Sequence, residues 1–101
     1  MSRTLRYHPL FDCDVREAAG WYDRRSLGLG DAFVDLVREC VGEIITDPQR
    51  FASTPSGCRY NRVARFPYVV LFDFSETELR LLGVLHTARS MEKWRERPSD
   101  G

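Results

Sequence analysis

Apolar positions along this chain follow two rhythms and then lose rhythm altogether. Between Arg3 and His8 they alternate, with Leu5 and Tyr7 on one side, which predicts a short first strand. From Phe11 the spacing changes. Phe11, Val15, Ala18, Ala19 and Tyr22 fall three or four apart, the period of a helix, and Pro9 can begin it. Asp12, Asp14 and Glu17 lie early and Arg24 and Arg25 late, a polarity that suits the helix dipole. Leu27-Gly28-Leu29-Gly30 predicts a stop and a tight connection. Asp31 is placed to cap a second helix, with Phe33, Leu36, Val37, Cys40, Ile44 and Ile45 as its buried stripe. Asp47-Pro48 ends it. The two helices read as a hairpin with apolar faces turned the same way.

After a loop over 48–57, rich in Pro, Ser, Thr and Gly and anchored by Phe51, three strands are predicted. They cover Cys58–Arg65, Phe66–Phe74 and Leu79–His86, with Ser75–Glu78 as the turn between the last two. The third and fourth strands are apolar on both sides, as central strands of a sheet are. Ser90–Arg97 can form a short last helix capped by Ser90, with Trp94 packing back. The class is α+β, ordered β-α-α-β-β-β, a helical hairpin on one face of a mostly antiparallel sheet. Residues 1–97 form one domain and 98–101 a frayed tail.

A chain of 101 residues, 43% hydrophobic, has room for one core and no second domain. Fifteen basic residues balance fifteen acidic ones. Residues 1–56 carry seven Arg against nine acids, and residues 57–101 eight Arg or Lys against six. A protein gripping RNA phosphates usually has a larger basic excess, so the neutral balance weakens that class. Fourteen of the fifteen basic residues are Arg, which suits bidentate carboxylate or phosphate contacts and equally fits a GC-rich coding background. The odd set Cys13, Cys40 and Cys58 matches no metal or disulfide spacing, and Cys13 and Cys40 read as small core residues. No apolar run is long enough to cross a bilayer, so the expectation is a reducing cytoplasm and no membrane partner.

No phosphate-cradling loop, HExxH or paired-cysteine site is present, and no metal or cofactor is expected. What remains is a basic and aromatic set at one end of the sheet. Arg59, Arg62 and Arg65 are three apart and so do not form one stripe: Arg62 shares a face with Tyr60 and Ala64, Arg59 with Asn61, Val63 and Arg65. His86 ends the fourth strand and Arg89 follows. These groups can position phosphates and move protons, or they can be solvated edge-strand faces and a strand-end cap. Trp21 reads as core or interface, and Trp94 as a clamp on the C-terminal segment.

Taken in order, these residues resemble the RelE/ParE superfamily of toxins of bacterial type II toxin–antitoxin pairs. The resemblance rests on Ala18 to Tyr22, Gly28-Leu29-Gly30 with Phe33, Pro48, Gly57 with Arg59, and Arg65-Phe66-Pro67-Tyr68. It continues through Val69 to Phe74, Leu82 to His86, Ala88-Arg89, Trp94 and Arg97, nearly the whole length. It implies the fold order above and an acidic or amphipathic antitoxin, bound at Trp21, Arg24 and Arg25. The ribonuclease branch, which cuts messenger RNA on the ribosome, implies catalytic roles for Arg62, Arg65, His86 and Arg89. In that branch a basic residue follows the tyrosine matching Tyr68; here Val69 stands there, and the second strand has no lysine. The chain is thus closer to the plasmid-stabilising ParE branch, which implies growth inhibition by poisoning DNA gyrase and no enzymatic activity. Arg59, Arg65, His86, Arg89 and Arg97 would then bind the target. A toxin-fold protein that only binds its partner is the third reading.

Overall fold

The structure, a computed structural model, describes residues 3–88. The predicted helix at Ser90–Arg97, the tail at 98–101, and Arg89, Trp94 and Arg97 lie outside the described residues. The elements are β1 (Thr4–Tyr7), α1 (Phe11–Arg25), α2 (Leu29–Thr46), a 3-10 turn at Pro48–Arg50, β2 (Arg59–Arg62), β3 (Tyr68–Phe74) and β4 (Glu78–His86). The sheet order is β1-β4-β3-β2. β1 runs parallel to β4 and the other pairs are antiparallel. The helical hairpin is the crossover that a parallel pair requires.

Both helices lie on one face of the sheet. Phe33, Val37, Cys40 and Ile44 of α2 and Phe11 and Ala18 of α1 pack with Val70, Phe72, Leu81 and Val84 in one buried cluster. Ile45, expected in the α2 stripe, is 47% exposed, and Val41 is buried in its place. One residue further round the helix turns Ile45 about 100° away from Ile44.

Several boundaries differ from the sequence expectation for identifiable reasons. α2 starts at Leu29, so Asp31 sits inside its first turn and does not cap it. Gly28 precedes it with a positive φ of 89°. The capping carboxylate comes from the other helix: Asp23 Oδ1 accepts the Gly30 N–H at 2.7 Å. The helices touch closely there, since a Cβ on Gly30 would lie 2.4 Å from the Ala19 carbonyl oxygen.

At the start of α1, His8 Nδ1 accepts the Leu10 N–H at 3.0 Å, and the helix begins at Phe11. β2 ends at Arg62, three residues early. Arg65 takes a left-handed φ of 70°, and Pro67 has no N–H to offer the ladder, so the chain turns and β3 begins at Tyr68. Arg65 is therefore a turn residue.

Phe51 meets Phe72 edge-on at 5.9 Å and anchors the preceding loop as expected. Cys40 is buried and its thiol points at the carbonyls of Asn61 and Arg62, 3.5 and 3.6 Å away. Burial, reinforced by the Glu43 carboxylate, pushes that thiol up to about 12. Cys13 is only half-buried, beside Glu17, and so is not the core residue expected.

Candidate functional site

Four α1 residues spaced three and four apart, Asp14, Glu17, Trp21 and Arg24, line one wall of a cleft of about 760 Å³. The ends of β3 and β4 form the opposite wall, through Pro67, Tyr68, Val84 and His86. Strand register brings the second wall together, because Tyr68 pairs directly with His86. Their rings meet edge-on at 5.1 Å. Tyr68 and Tyr22 lean on Phe33 and anchor the cleft to the core.

The polar groups of the cleft have defined roles. Asp14 Oδ2 accepts the Val84 N–H at 3.1 Å and pins α1 to β4 beside a bulge, where the register shifts between Leu71 and Phe72. His86 Nδ1 accepts the Ala88 N–H at 3.0 Å. That bond requires an unprotonated Nδ1, which leaves the neutral ring's proton on Nε2 as a donor. Burial raises the Tyr22 phenol above its ordinary value, so it stays protonated near neutral pH. Trp21 is 43% exposed, meets Tyr22 edge-on at 5.0 Å, and carries the Arg25 guanidinium 3.9 Å above its ring. Arg24, by contrast, makes no hydrogen bond, ion pair or ring contact among the described residues.

The residues singled out in the sequence fall into two groups in space. His86, Trp21 and Arg24 share this cleft, with Arg25 at its rim on Trp21. Arg62 does not reach it. Arg62 pairs with Val69, and Val69 faces away from its neighbour Tyr68, which packs on the helices. Arg62 and His86 therefore lie on opposite faces of the sheet. Arg65 sits in the β2–β3 turn. Arg59 faces the helices, donating to the carbonyls of Phe51 and Gln49 at 2.6 and 3.3 Å and lying over the Phe74 ring, so it ties the preceding loop to the sheet.

Asp14 and Tyr68 are not among the site residues read from the sequence. For Asp14 the signal was there, in its helical spacing with Trp21 and Arg24; for Tyr68 it required the β3–β4 register. No His, Cys, Asp or Glu group able to hold a metal occurs among the described residues.

A second groove of about 760 Å³ lies at the other end of the hairpin and is mainly apolar. Phe11 and Val15 of α1, Val37, Val41 and Ile45 of α2, and Tyr7 line it. Tyr7 and Ile45 are about half exposed, and among the described residues no strand lies along the outer edge of β1. No described helix is long and apolar enough to cross a membrane.

No protein-family model matches the sequence, and no curated protein matches it. Among solved structures, the fold is similar to a chain of the chromosomal ParDE toxin–antitoxin system from P. aeruginosa. The TM-score is 0.72 at 18% identity, over 83% of this chain and 95% of that one. The likeness is one of fold: two helices on a four-stranded mixed sheet in the order β-α-α-β-β-β.

Proposed function

We propose that this chain is the toxin of a type II toxin–antitoxin pair, that it acts in the cytoplasm by binding DNA gyrase rather than by cutting RNA, and that a protein antitoxin neutralises it. The observation that carries the choice of mechanism is the separation of Arg62 from His86 by the thickness of the sheet. Cleavage of RNA by general acid–base catalysis needs cationic and proton-transferring groups aimed at one phosphate. Each such donor typically contributes ~10²–10³ in rate. With Val69 buried where the ribonuclease branch has a base, Arg65 in a turn and Arg62 across the sheet, the second-strand arginines do not converge on His86 among the described residues, which speaks against the nuclease reading.

The fold likeness to a ParDE chain supports the partner half of the proposal. An amphipathic antitoxin segment has two places to dock: the apolar groove along the hairpin and the outer edge of β1. Arg24 is the cation beside Trp21 that an antitoxin carboxylate would pair with. His86, with its Nε2 donor in the cleft, is the candidate for target contact.

The test is induced expression in bacterial cells, alone and with the protein encoded beside this chain. Growth arrest with gyrase-linked DNA breaks, relieved by co-expression and by co-purification of a stable complex, is the expected result. Ribosome-dependent cuts in messenger RNA without DNA breaks would replace this reading with the nuclease one.

A further inference from the structure

β1 covers only the first part of β4. Its register runs from Thr4 opposite Glu78 to Tyr7 opposite Leu81. The His8 N–H makes one more bond, to the Leu81 carbonyl at 2.8 Å. Pro9 then has no N–H to give, and the chain leaves the sheet for α1. β4 continues to His86. Along Leu82–His86, a stretch of about 17 Å, no described strand lies on the β1 side.

The bonds on the other side fix which backbone groups face this opening. In an antiparallel ladder the residues of a strand bond alternately to one side and the other. Thr87 donates its N–H to the Pro67 carbonyl, toward β3, at 2.9 Å. Tyr68, the register partner of His86, has its carbonyl turned to the other neighbour, where it accepts the Val63 N–H at 2.9 Å. Val84 donates its N–H outward, to Asp14 Oδ2. Val84 and His86 therefore both turn their amides and carbonyls away from β3. Asp14 satisfies the Val84 N–H. The Val84 carbonyl and the N–H and carbonyl of His86 have no hydrogen-bond partner among the described residues. Such an edge is a template for another strand.

This edge opens into the cleft between β4 and α1, where Glu17, Trp21 and Arg24 form the facing wall. The two carboxylates nearest the edge are engaged or set aside: Asp14 holds Val84, and Glu17 lies beside Cys13. Trp21 is 43% exposed. Arg24, one helical turn beyond it, makes no ion pair among the described residues. The wall can therefore receive an apolar side chain on the indole and a carboxylate on the guanidinium.

We propose that the Val84–His86 edge of β4 is a strand-addition site, which takes an extended segment of a protein partner in line with β1. The segment accepts the His86 N–H and donates to the Val84 carbonyl, rests an apolar side chain on Trp21, and pairs a carboxylate with Arg24. Recognition is then mainly of backbone, with two side chains selecting the segment. The site is separate from the hairpin groove and from the outer edge of β1, and it is open whether or not the chain is a toxin.

Linear dodecapeptides displayed on phage and selected on the full-length protein supply the probe. The enriched peptides are then synthesised and titrated into the intact protein and into His86→Ala, His86→Pro and Arg24→Ala variants, with amide exchange followed by NMR. Acidic peptides that slow exchange of the His86 amide at least tenfold are expected. His86→Ala keeps the N–H, whereas His86→Pro deletes an N–H that β3 does not use, so the proline variant should bind roughly three- to tenfold more weakly than the alanine variant. Arg24→Ala should weaken binding several-fold. Unmoved Val70 and Leu81 methyls check that each variant is folded; if the proline variant is not, exchange of the His86 amide in the intact protein decides. Selection that yields no peptide able to slow His86 exchange, peptides bound as helices elsewhere, or equal affinity for folded His86→Pro and His86→Ala would overturn the proposal.

Discussion

The two faces of this sheet are made from alternate residues of the same strands and do different work. Toward the helices, Tyr68, Val70 and Phe72 join Phe33 and Ile44 in the main core, and Tyr68 and His86 open into the cleft that also holds Trp21 and Arg24. Away from the helices, Val69, Leu71 and Leu85 form a smaller apolar cluster bordered by Arg62 and by the Arg80–Asp73 pair, whose Nε–Oδ1 distance is 2.8 Å. Moving one residue along β3 changes the environment completely. Basic residues that look like a single constellation in the sequence are thereby divided, His86 and Arg59 toward the helices and Arg62 away from them.

The largest effect expected from breaking the comparison is in the cores. Leu81→Ala on the helix face should cost about 2–5 kcal/mol in urea unfolding. Leu71→Ala should fall in the same range if the second face is core, whereas a surface position would lose under ~0.5 kcal/mol. Gly30→Ala comes next. Its Cβ has nowhere to go against Ala19, so a loss of roughly 1–3 kcal/mol or more is expected. Asp23→Ala removes only the bond to the Gly30 N–H and should cost about 0.5–2 kcal/mol.

The pH dependence sharpens the helix side. Burial, helped by Glu43, raises the Cys40 thiol from 9.0 to about 12. The unfolded chain loses this proton first. The stabilisation is therefore complete below pH 9 and falls as pH rises toward 12, by at most about 1.4 kcal/mol per pH unit. Tyr22, also raised by burial, acts in the same direction. Unfolding free energies measured across that window should decline less steeply in Cys40→Ala. The smallest effect belongs to the second face's rim. Arg80 and Asp73 are partly exposed, and Arg80→Ala should cost under about 1 kcal/mol.

How much of this was legible in the sequence varied with how local the cause was. The near-continuous apolar run Val69–Phe74 identified a central strand because Val69 to Phe72 are buried on both faces. The three- and four-residue spacing from Phe33 to Ile44 identified the stripe of α2 because the helix period is local. The cap of α2 was misread because its carboxylate, Asp23, comes from the preceding helix, and a good local candidate, Asp31, stood in the expected place. The turn at Arg65 was missed because a left-handed arginine leaves no compositional mark. Alternation grouped Arg62 with Tyr60 and Arg59 with Asn61 correctly. Which pair faced the helices required the β2–β3 register and the bonds from Asn61 to the Cys40 carbonyl and Glu43 on α2.

The central claim is that the cleft between α1 and the β3–β4 ends carries the activity and that Arg62, across the sheet, does not. Growth arrest should therefore be compared in cells expressing the intact chain, a His86→Ala variant and an Arg62→Ala variant, each at matched folded yield. Arrest lost with His86→Ala and retained with Arg62→Ala, with gyrase-linked DNA breaks following the same pattern, is the predicted result. Arrest and messenger RNA cleavage lost equally in both would contradict it, since groups on opposite faces would then be serving one reaction.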